Sequence, residues 1–146
     1  MAWDAGFGKC MLGRFEEFVL GEGIKESEVD ELVDIRWRIQ AKGGKSRSES
    51  LSTKTSLGGI LDIEFIAQIL QIRHGRRSPG VRSVNTLESL NRLAKAGFLT
   101  DEDTAHLNGG FSFLRSVEKV MRRQDERART RLPSNQLALT ALARTV

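Results

Sequence analysis

Leu57-Gly58-Gly59-Ile60-Leu61-Asp62-Ile63-Glu64-Phe65-Ile66-Ala67-Gln68-Ile69-Leu70-Gln71-Ile72 is the stretch whose reading decides the fold. Two glycines lead into a run that is apolar nearly all the way round a helix. Ile60, Ile63, Ala67 and Leu70 share one face at helical spacing, and Leu61, Phe65, Ile69 and Ile72 fill another. A helix with more than one apolar stripe is normally buried against neighbours on several sides. Its polar members, Asp62, Glu64, Gln68 and Gln71, therefore stand out. Carboxylates in a first helical turn interact favourably with the unpaired N–H groups there, by about 0.3–1 kcal/mol when exposed. Caps and internal hydrogen bonds are thus the plain structural reading of Asp62 and Glu64.

Upstream, Gly43 to Ser56 is Gly, Ser, Thr and Lys with almost nothing to bury, and reads as a mobile loop over 43–56. It delivers the chain into Gly58-Gly59, where a bare backbone can turn sharply or approach another group closely. Before the loop, Ser27 with Asp30 three residues on forms a capping pair for a helix ending near Ala41–Lys42. Val29, Leu32, Val33, Ile35, Trp37 and Ile39 are its expected apolar side, with Arg36 and Arg38 in water. Residues 1–26 form an N-terminal segment with a short helix over Arg14–Leu20, its Phe15, Phe18 and Val19 inward. The first ten residues read as a tail or a severed connection.

Downstream, His74-Gly75 should stop the central helix, since a glycine just past the last turn is a common terminator. Asn85 with Glu88 opens the next helix, which carries Leu87, Leu90, Leu93 and Ala94 and ends at Gly97. Thr100 with Asp103 opens a long one through Ala105, Leu107, Phe111, Leu114, Val117, Val120 and Met121. Gly109-Gly110 inside it costs about 1 kcal/mol per glycine relative to alanine, and close packing of another helix would explain the pair. Pro133 breaks the chain, and Ser134 is the expected cap of a last helix with Leu137, Leu139, Leu142 and Val146. No strand-like alternation, repeat or sustained heptad occurs. The expected architecture is an all-α bundle of about five or six helices over 27–146.

The 146 residues suit one domain, and no run of about 20 apolar residues could span a membrane. Cys10 is the only cysteine, which excludes an internal disulfide and a cysteine metal site and fits a reducing cytoplasm. The net charge of +4 is arginine-rich and uneven. Arg73, Arg76, Arg77 and Arg82 cluster after the central helix, and Arg122, Arg123, Arg127, Arg129 and Arg131 cluster later. Basic patches attract phosphates and acidic partners, although solvated helix faces balanced by Asp125 and Glu126 are the plainer explanation. No aromatic residue is interleaved with the arginines as a base-stacking platform requires. His74 and His106 have no metal-binding spacing, and neither a Ser/His/Asp arrangement nor a phosphate loop with its lysine is present.

Lys54 to Gln68, with its Gly58-Gly59 and Asp62-Ile63-Glu64-Phe65, closely resembles a signature of the glutamine synthetase adenylyltransferase family. The resemblance continues in order through Leu70–Gly75, Asn85–Leu90, Ala96–Leu99, Phe113–Glu118 and Arg131-Leu132-Pro133. It is strong across 54–133 and weaker across 10–42. It implies the helical bundle that follows a nucleotidyltransferase domain. The related uridylyltransferases of PII signalling protein carry a similar bundle, and Ile63-Glu64-Phe65 favours the adenylyltransferase.

The resemblance also implies partners: the nucleotidyltransferase domain of the same enzyme, glutamine synthetase, and PII protein as a regulator. ATP and Mg²⁺ are implied for the full enzyme, with no cofactor or metal in this chain. Such transferases hold metal with two carboxylates one residue apart on a strand, beside a Gly-Ser motif. Neither motif occurs here. Asp62 and Glu64 share the spacing but on a helix, which sets them about 200° apart. The expectation is a bundle that is inactive alone, with Lys54, Gly58, Gly59, Asp62 and Glu64 as candidates for the face toward the catalytic domain, positioning nucleotide or target. Arg73, Arg76, Arg77, Arg122 and Arg123 are the basic-patch candidates. An apolar face left uncovered would favour a homodimer of the isolated piece. The rival reading is a free-standing helical module that binds an acidic protein or nucleic acid through its arginines.

Overall fold

The computed structural model describes residues 10, 11, 13, 14, 18, 19, 23–44, 51–124 and 131–146. Among the described residues from 23 onward, five α-helices follow in order: α1 (Glu26–Gly44), α2 (Ile60–His74), α3 (Thr86–Lys95), α4 (Asp101–Gln124) and α5 (Gln136–Ala143). A short 3-10 turn at Pro79–Val81 joins α2 to α3. The fold is all-α; a single antiparallel bridge, Ser52 with Arg131, is the sheet-like pairing among the described residues.

Helices α2, α3 and α4 pack on one another and hold the main core. Ile60, Ile63 and Ala67 of α2 meet Leu90 of α3 and Phe111 of α4, with Leu87, Leu99, Leu107 and Leu114 packed around them. Leu90 and Leu93 are wholly buried. Each such side chain contributes about 1.5–3 kcal/mol relative to exposure. A second, smaller cluster of Val117, Met121 and Leu142 fastens α5 to the far end of α4, with Val120 and Leu132 against it. The second stripe of α2 is covered less than its composition suggests: Leu61, Phe65, Ile69 and Ile72 are only half-buried, and Ile66 is exposed.

Local signals explain most boundaries. The Asn85 side chain accepts from Glu88 N–H at 3.1 Å to start α3. Glu88 does not close the reciprocal half of the box; its carboxylate takes Ser83 Oγ and Arg92 instead. The α3 C-terminus closes through Gly97, at φ +78°, with Phe98 N–H donating to Leu93 and Gly97 N–H to Ala94. Thr100 Oγ1 accepts from Asp103 N–H at 3.0 Å and donates to the Asp103 carboxylate at 2.7 Å, starting α4 as expected. Within α4, a Cβ on Gly110 would lie 3.7 Å from Ile63 Cδ1, so α2 approaches there; Gly109 faces open space, and Ala105 is exposed.

Other expectations shift. Helix α1 starts one residue before Ser27, and the Glu28 carboxylate accepts from Lys25 N–H at 2.7 Å in place of a Ser27–Asp30 cap. Its end runs through Gly43-Gly44. Asn135, not Ser134, caps α5. Gly75 ends α2 at an ordinary right-handed φ of −64°. Glycine is required there because a Cβ would come within 2.4 Å of the Gln71 carbonyl oxygen. Leu137 and Val146 of the last segment are exposed.

The largest correction concerns α1. Arg36, expected in water, is buried, whereas Val33, Ile35 and Trp37 are 42%, 44% and 53% exposed. Half-buried Val29, Leu32 and Ile39 surround Arg36 at spacings of three and four, so the inward stripe runs through the arginine. Most of the short helix expected over Arg14–Leu20 lies outside the described residues, as do residues 45–50. Phe18 and Val19, which the pattern put inward, are exposed.

Candidate functional site at the double-glycine turn

Residues 51–59 form a compact turn held by its own backbone, although their composition offers little to bury. Ser52 and Thr53 are buried. Ser52 Oγ accepts from Lys54 and Thr55 N–H, and Ser52 N–H donates to Ser56 Oγ at 2.8 Å. Leu132 N–H donates to Leu51 O at 2.8 Å, tying the turn to the segment before α5. Only 45–50 of the expected mobile loop remains undescribed; 51–56 is a built element.

The two glycines have different tasks. Gly58 sits at φ +72°, a backbone conformation that L side chains rarely adopt. Gly59 has an ordinary extended φ, but a Cβ there would fall 2.7 Å from Ser56 O and 2.8 Å from Lys54 O. The turn needs one glycine for its conformation and the next for close approach. As a result the first N–H groups of α2 point back into the turn. Gly59 N–H donates to Ser56 O, Ile60 to Thr53 O and Leu61 to Lys54 O, at 2.9–3.1 Å. Those donors are spent, and this helix start offers no ready anion site.

Asp62 completes the closure. Oδ2 accepts from Gly58 N–H at 2.7 Å, and Oδ1 accepts from Arg36 Nε at 2.5 Å. Arg36 Nη2 reaches Thr55 O and Ser56 O at 3.1 and 3.2 Å. Arg36 thus clamps the turn and the start of α2 to α1. Its Nη1 is buried without a hydrogen-bond partner.

Glu64 points elsewhere, as the helical spacing requires. It accepts from Arg115 Nη2 of α4 at 3.0 Å. Arg115 Nη1 donates to buried Glu118, which also accepts from Arg122 Nη2 at 3.0 Å. Arg115 lies over the Phe111 ring, 5.1 Å from its centroid. The five candidates therefore do not converge. Gly58, Gly59 and Asp62 form one closed turn with the backbone of Lys54, whose side chain is exposed, while Glu64 belongs to a charge chain on α4.

The basic clusters also resolve. Arg73 pairs with Glu26 of α1 at 3.2 Å, and Arg76 and Arg77 are exposed. Arg82 turns inward, donating to Gly75 O at 2.9 Å. Arg122 is tied to Glu118 and Arg123 is exposed, while Arg127 and Arg129 lie outside the described residues. His74 stacks on Phe98 with ring centroids 3.8 Å apart. Desolvation, followed by the positive charges of Arg73 and Arg77, holds its pKa below 6.5. Among the described residues no group of three or more His, Cys, Asp or Glu is placed to hold a metal ion. None of the described helices is long and apolar enough to cross a membrane.

The sequence reading missed Arg36, Arg115 and Glu118 as organising residues. Arg36 was findable, because it occupies the centre of the 29-32-36-39 stripe. Glu118 was findable from arginines three residues before and four after it, which flank a carboxylate on one helix face.

Comparison with known proteins agrees with the resemblance. Several bifunctional glutamine synthetase adenylyltransferases/adenylyl-removing enzymes are similar to this chain. The Streptomyces avermitilis protein is 32% identical over 146 residues, covering 99% of this chain and 15% of that protein. The Corynebacterium diphtheriae protein is 31% identical over 117 residues, covering 80% of this chain and 11% of that protein. The Caulobacter vibrioides protein is 32% identical over 119 residues, covering 80% and 12%. The chain thus spans a small fraction of the length of these curated relatives. A family model described as GlnD PII-uridylyltransferase matches residues 35–146, from Ile35 of α1 to the last residue, and the chain belongs to that family.

Proposed function

We propose that this chain is a helical, non-catalytic domain of a glutamine synthetase adenylyltransferase. It supports the transfer of AMP to glutamine synthetase and its removal. In this reading a nucleotidyltransferase domain of the same enzyme handles ATP and Mg²⁺ in the cytoplasm, PII protein regulates the whole, and the bundle gives that domain a rigid platform. The observation that carries the reading is the division of labour on α2. Asp62 and Glu64 are each neutralised by an arginine of another helix, Arg36 and Arg115, so both carboxylates organise the bundle. The same helix leaves Leu61, Phe65, Ile69 and Ile72 half-covered, and α1 leaves Val33, Ile35 and Trp37 exposed. Apolar side chains left open in this way suit docking of a neighbouring domain, and in isolation favour a homodimer.

The test is calorimetric titration of the chain with the separately expressed nucleotidyltransferase domain, followed by an adenylylation assay on glutamine synthetase. The expected outcome is binding, lost on Trp37→Ser with Phe65→Ser, and AMP transfer above that of the catalytic domain alone. No binding at high micromolar concentration would overturn the reading and favour a stand-alone module.

A further inference from the structure

The C-terminal half of α4 carries a feature that the platform role does not use. Arg115, Glu118, Lys119, Arg122 and Arg123 line an open concavity of about 420 Å³. These positions fall at successive three- and four-residue steps, one continuous stripe about 12 Å long. Glu118 is buried in it and held on both sides, by Arg115 and Arg122 at 3.0 Å each. Those two arginines remain 46% and 55% exposed. Lys119 and Arg123 are exposed and have no carboxylate partner among the described residues. Four cations against the carboxylates of Glu118 and Glu64 leave a local excess of positive charge, which attracts anionic partners.

We propose that this stripe is a docking surface for an acidic segment of a partner protein, a run of Asp and Glu side chains laid along α4. The charge layout selects this occupant. Arg115 already spends both terminal nitrogens, on Glu118 and Glu64, and Arg122 spends one, so few free guanidinium forks remain for a phosphate. The Glu118 carboxylate opposes a concentrated charge such as a polyphosphate. Single carboxylates spaced along a chain instead meet Lys119, Arg122 and Arg123 one at a time. The lining contains no aromatic side chain on which nucleic-acid bases could stack. Opposite charge at this surface gives specificity and encounter rate more than raw affinity, so the contact is salt-sensitive.

The test is fluorescence anisotropy of the 146-residue chain with a labelled octaglutamate peptide at low salt. Competition by tripolyphosphate and by a single-stranded oligonucleotide forms the other arms. The expected result is saturable binding that Lys119→Glu with Arg123→Glu weakens about tenfold or more, by loss and reversal of opposed charges. Arg76→Glu with Arg77→Glu changes the net charge equally and should leave binding within about twofold. Circular dichroism melts of both variants, expected to match the parent, confirm folding at these exposed positions. Equal weakening by the two pairs, or no binding, would overturn the proposal. Tighter binding of tripolyphosphate or of the oligonucleotide would overturn it in favour of a phosphate or nucleic-acid site.

Discussion

Arg36 of α1 and Asp62 of α2 form a part-buried ion pair that joins α1 to the core, with Nε and Oδ1 2.5 Å apart and side chains 9% and 25% exposed. Apolar packing does little of this work, because Val33, Ile35 and Trp37 face outward. The pair also governs the turn: one Asp62 oxygen holds Gly58, and one Arg36 nitrogen holds the carbonyls of Thr55 and Ser56. Two carboxylate oxygens and one guanidinium thus couple three segments of chain. Paired, the two charges offset each other's desolvation; separated, each is left buried with little compensation.

Asp62→Asn should therefore destabilise the fold by about 2–4 kcal/mol, below the fully buried range because Asp62 retains some water. Arg36→Met removes the charge while keeping a stem of similar reach, and should cost less. The double variant should be less destabilised than the sum of the two. Urea denaturation of the four proteins measures the coupling. Strict additivity would show that the pair does not act as a unit.

The two glycines predict unequal alanine effects. Gly58→Ala strains a left-handed backbone and should cost about 1–2 kcal/mol, with Gly58→Asn milder. Gly59→Ala forces a Cβ against two carbonyl oxygens of the turn and should cost more, since the turn must open to admit it. Thermal melts rank the three variants. A Gly59→Ala protein as stable as Gly58→Ala would contradict the close-approach assignment.

Much of the core was legible from the chain. Ile60, Ile63 and Ala67 on α2, and Leu90 and Leu93 on α3, are where helical spacing puts them. Thr100 and Asn85 cap the helices that their side chains suggest. The α1 face was misread because Val33, Ile35, Trp37 and Ile39 alternate, and alternation is a strand period, not a helical one. A charged residue at the true helical position was then assigned to water by type. The 51–56 turn was unreadable for a related reason. Its order comes from backbone and hydroxyl hydrogen bonds, which composition does not register. The split roles of Asp62 and Glu64 were half legible: their angular separation follows from helix geometry, but Arg36 and Arg115 lie 26 and 51 residues away in sequence.

Glu118→Gln tests the charge chain on α4. The side chain is 6% exposed and bonded to both Arg115 and Arg122. Neutralising it leaves two guanidinium groups facing each other, and should cost about 1.5–3 kcal/mol, the range for hydrogen bonds to charged groups. Arg122→Ala, at a half-exposed partner, should cost at most about 1 kcal/mol. Equilibrium unfolding in urea at low and high salt reads both. A Glu118→Gln effect no larger than that of Arg122→Ala would mean that the carboxylate is held by surface attraction alone.

His74 gives the chain a pH dependence of definite sign. Desolvation, then the charges of Arg73 and Arg77, lower its pKa below the ordinary 6.5, and the ring stacks on Phe98. Between the folded and ordinary values the unfolded chain binds more protons, so stability rises with pH there. The contribution is fully present above 6.5. It is lost as pH falls below 6.5 and through the depressed folded value, where the imidazolium must form beside two arginines. His74→Phe keeps a ring to stack on Phe98 and removes the titration. Urea midpoints measured across pH 5–8 should slope less for His74→Phe than for the parent in the lower half of that range. Equal slopes, or a His74 ring titrating above 6.5 by NMR, would show that burial and the two arginines do not favour the neutral form.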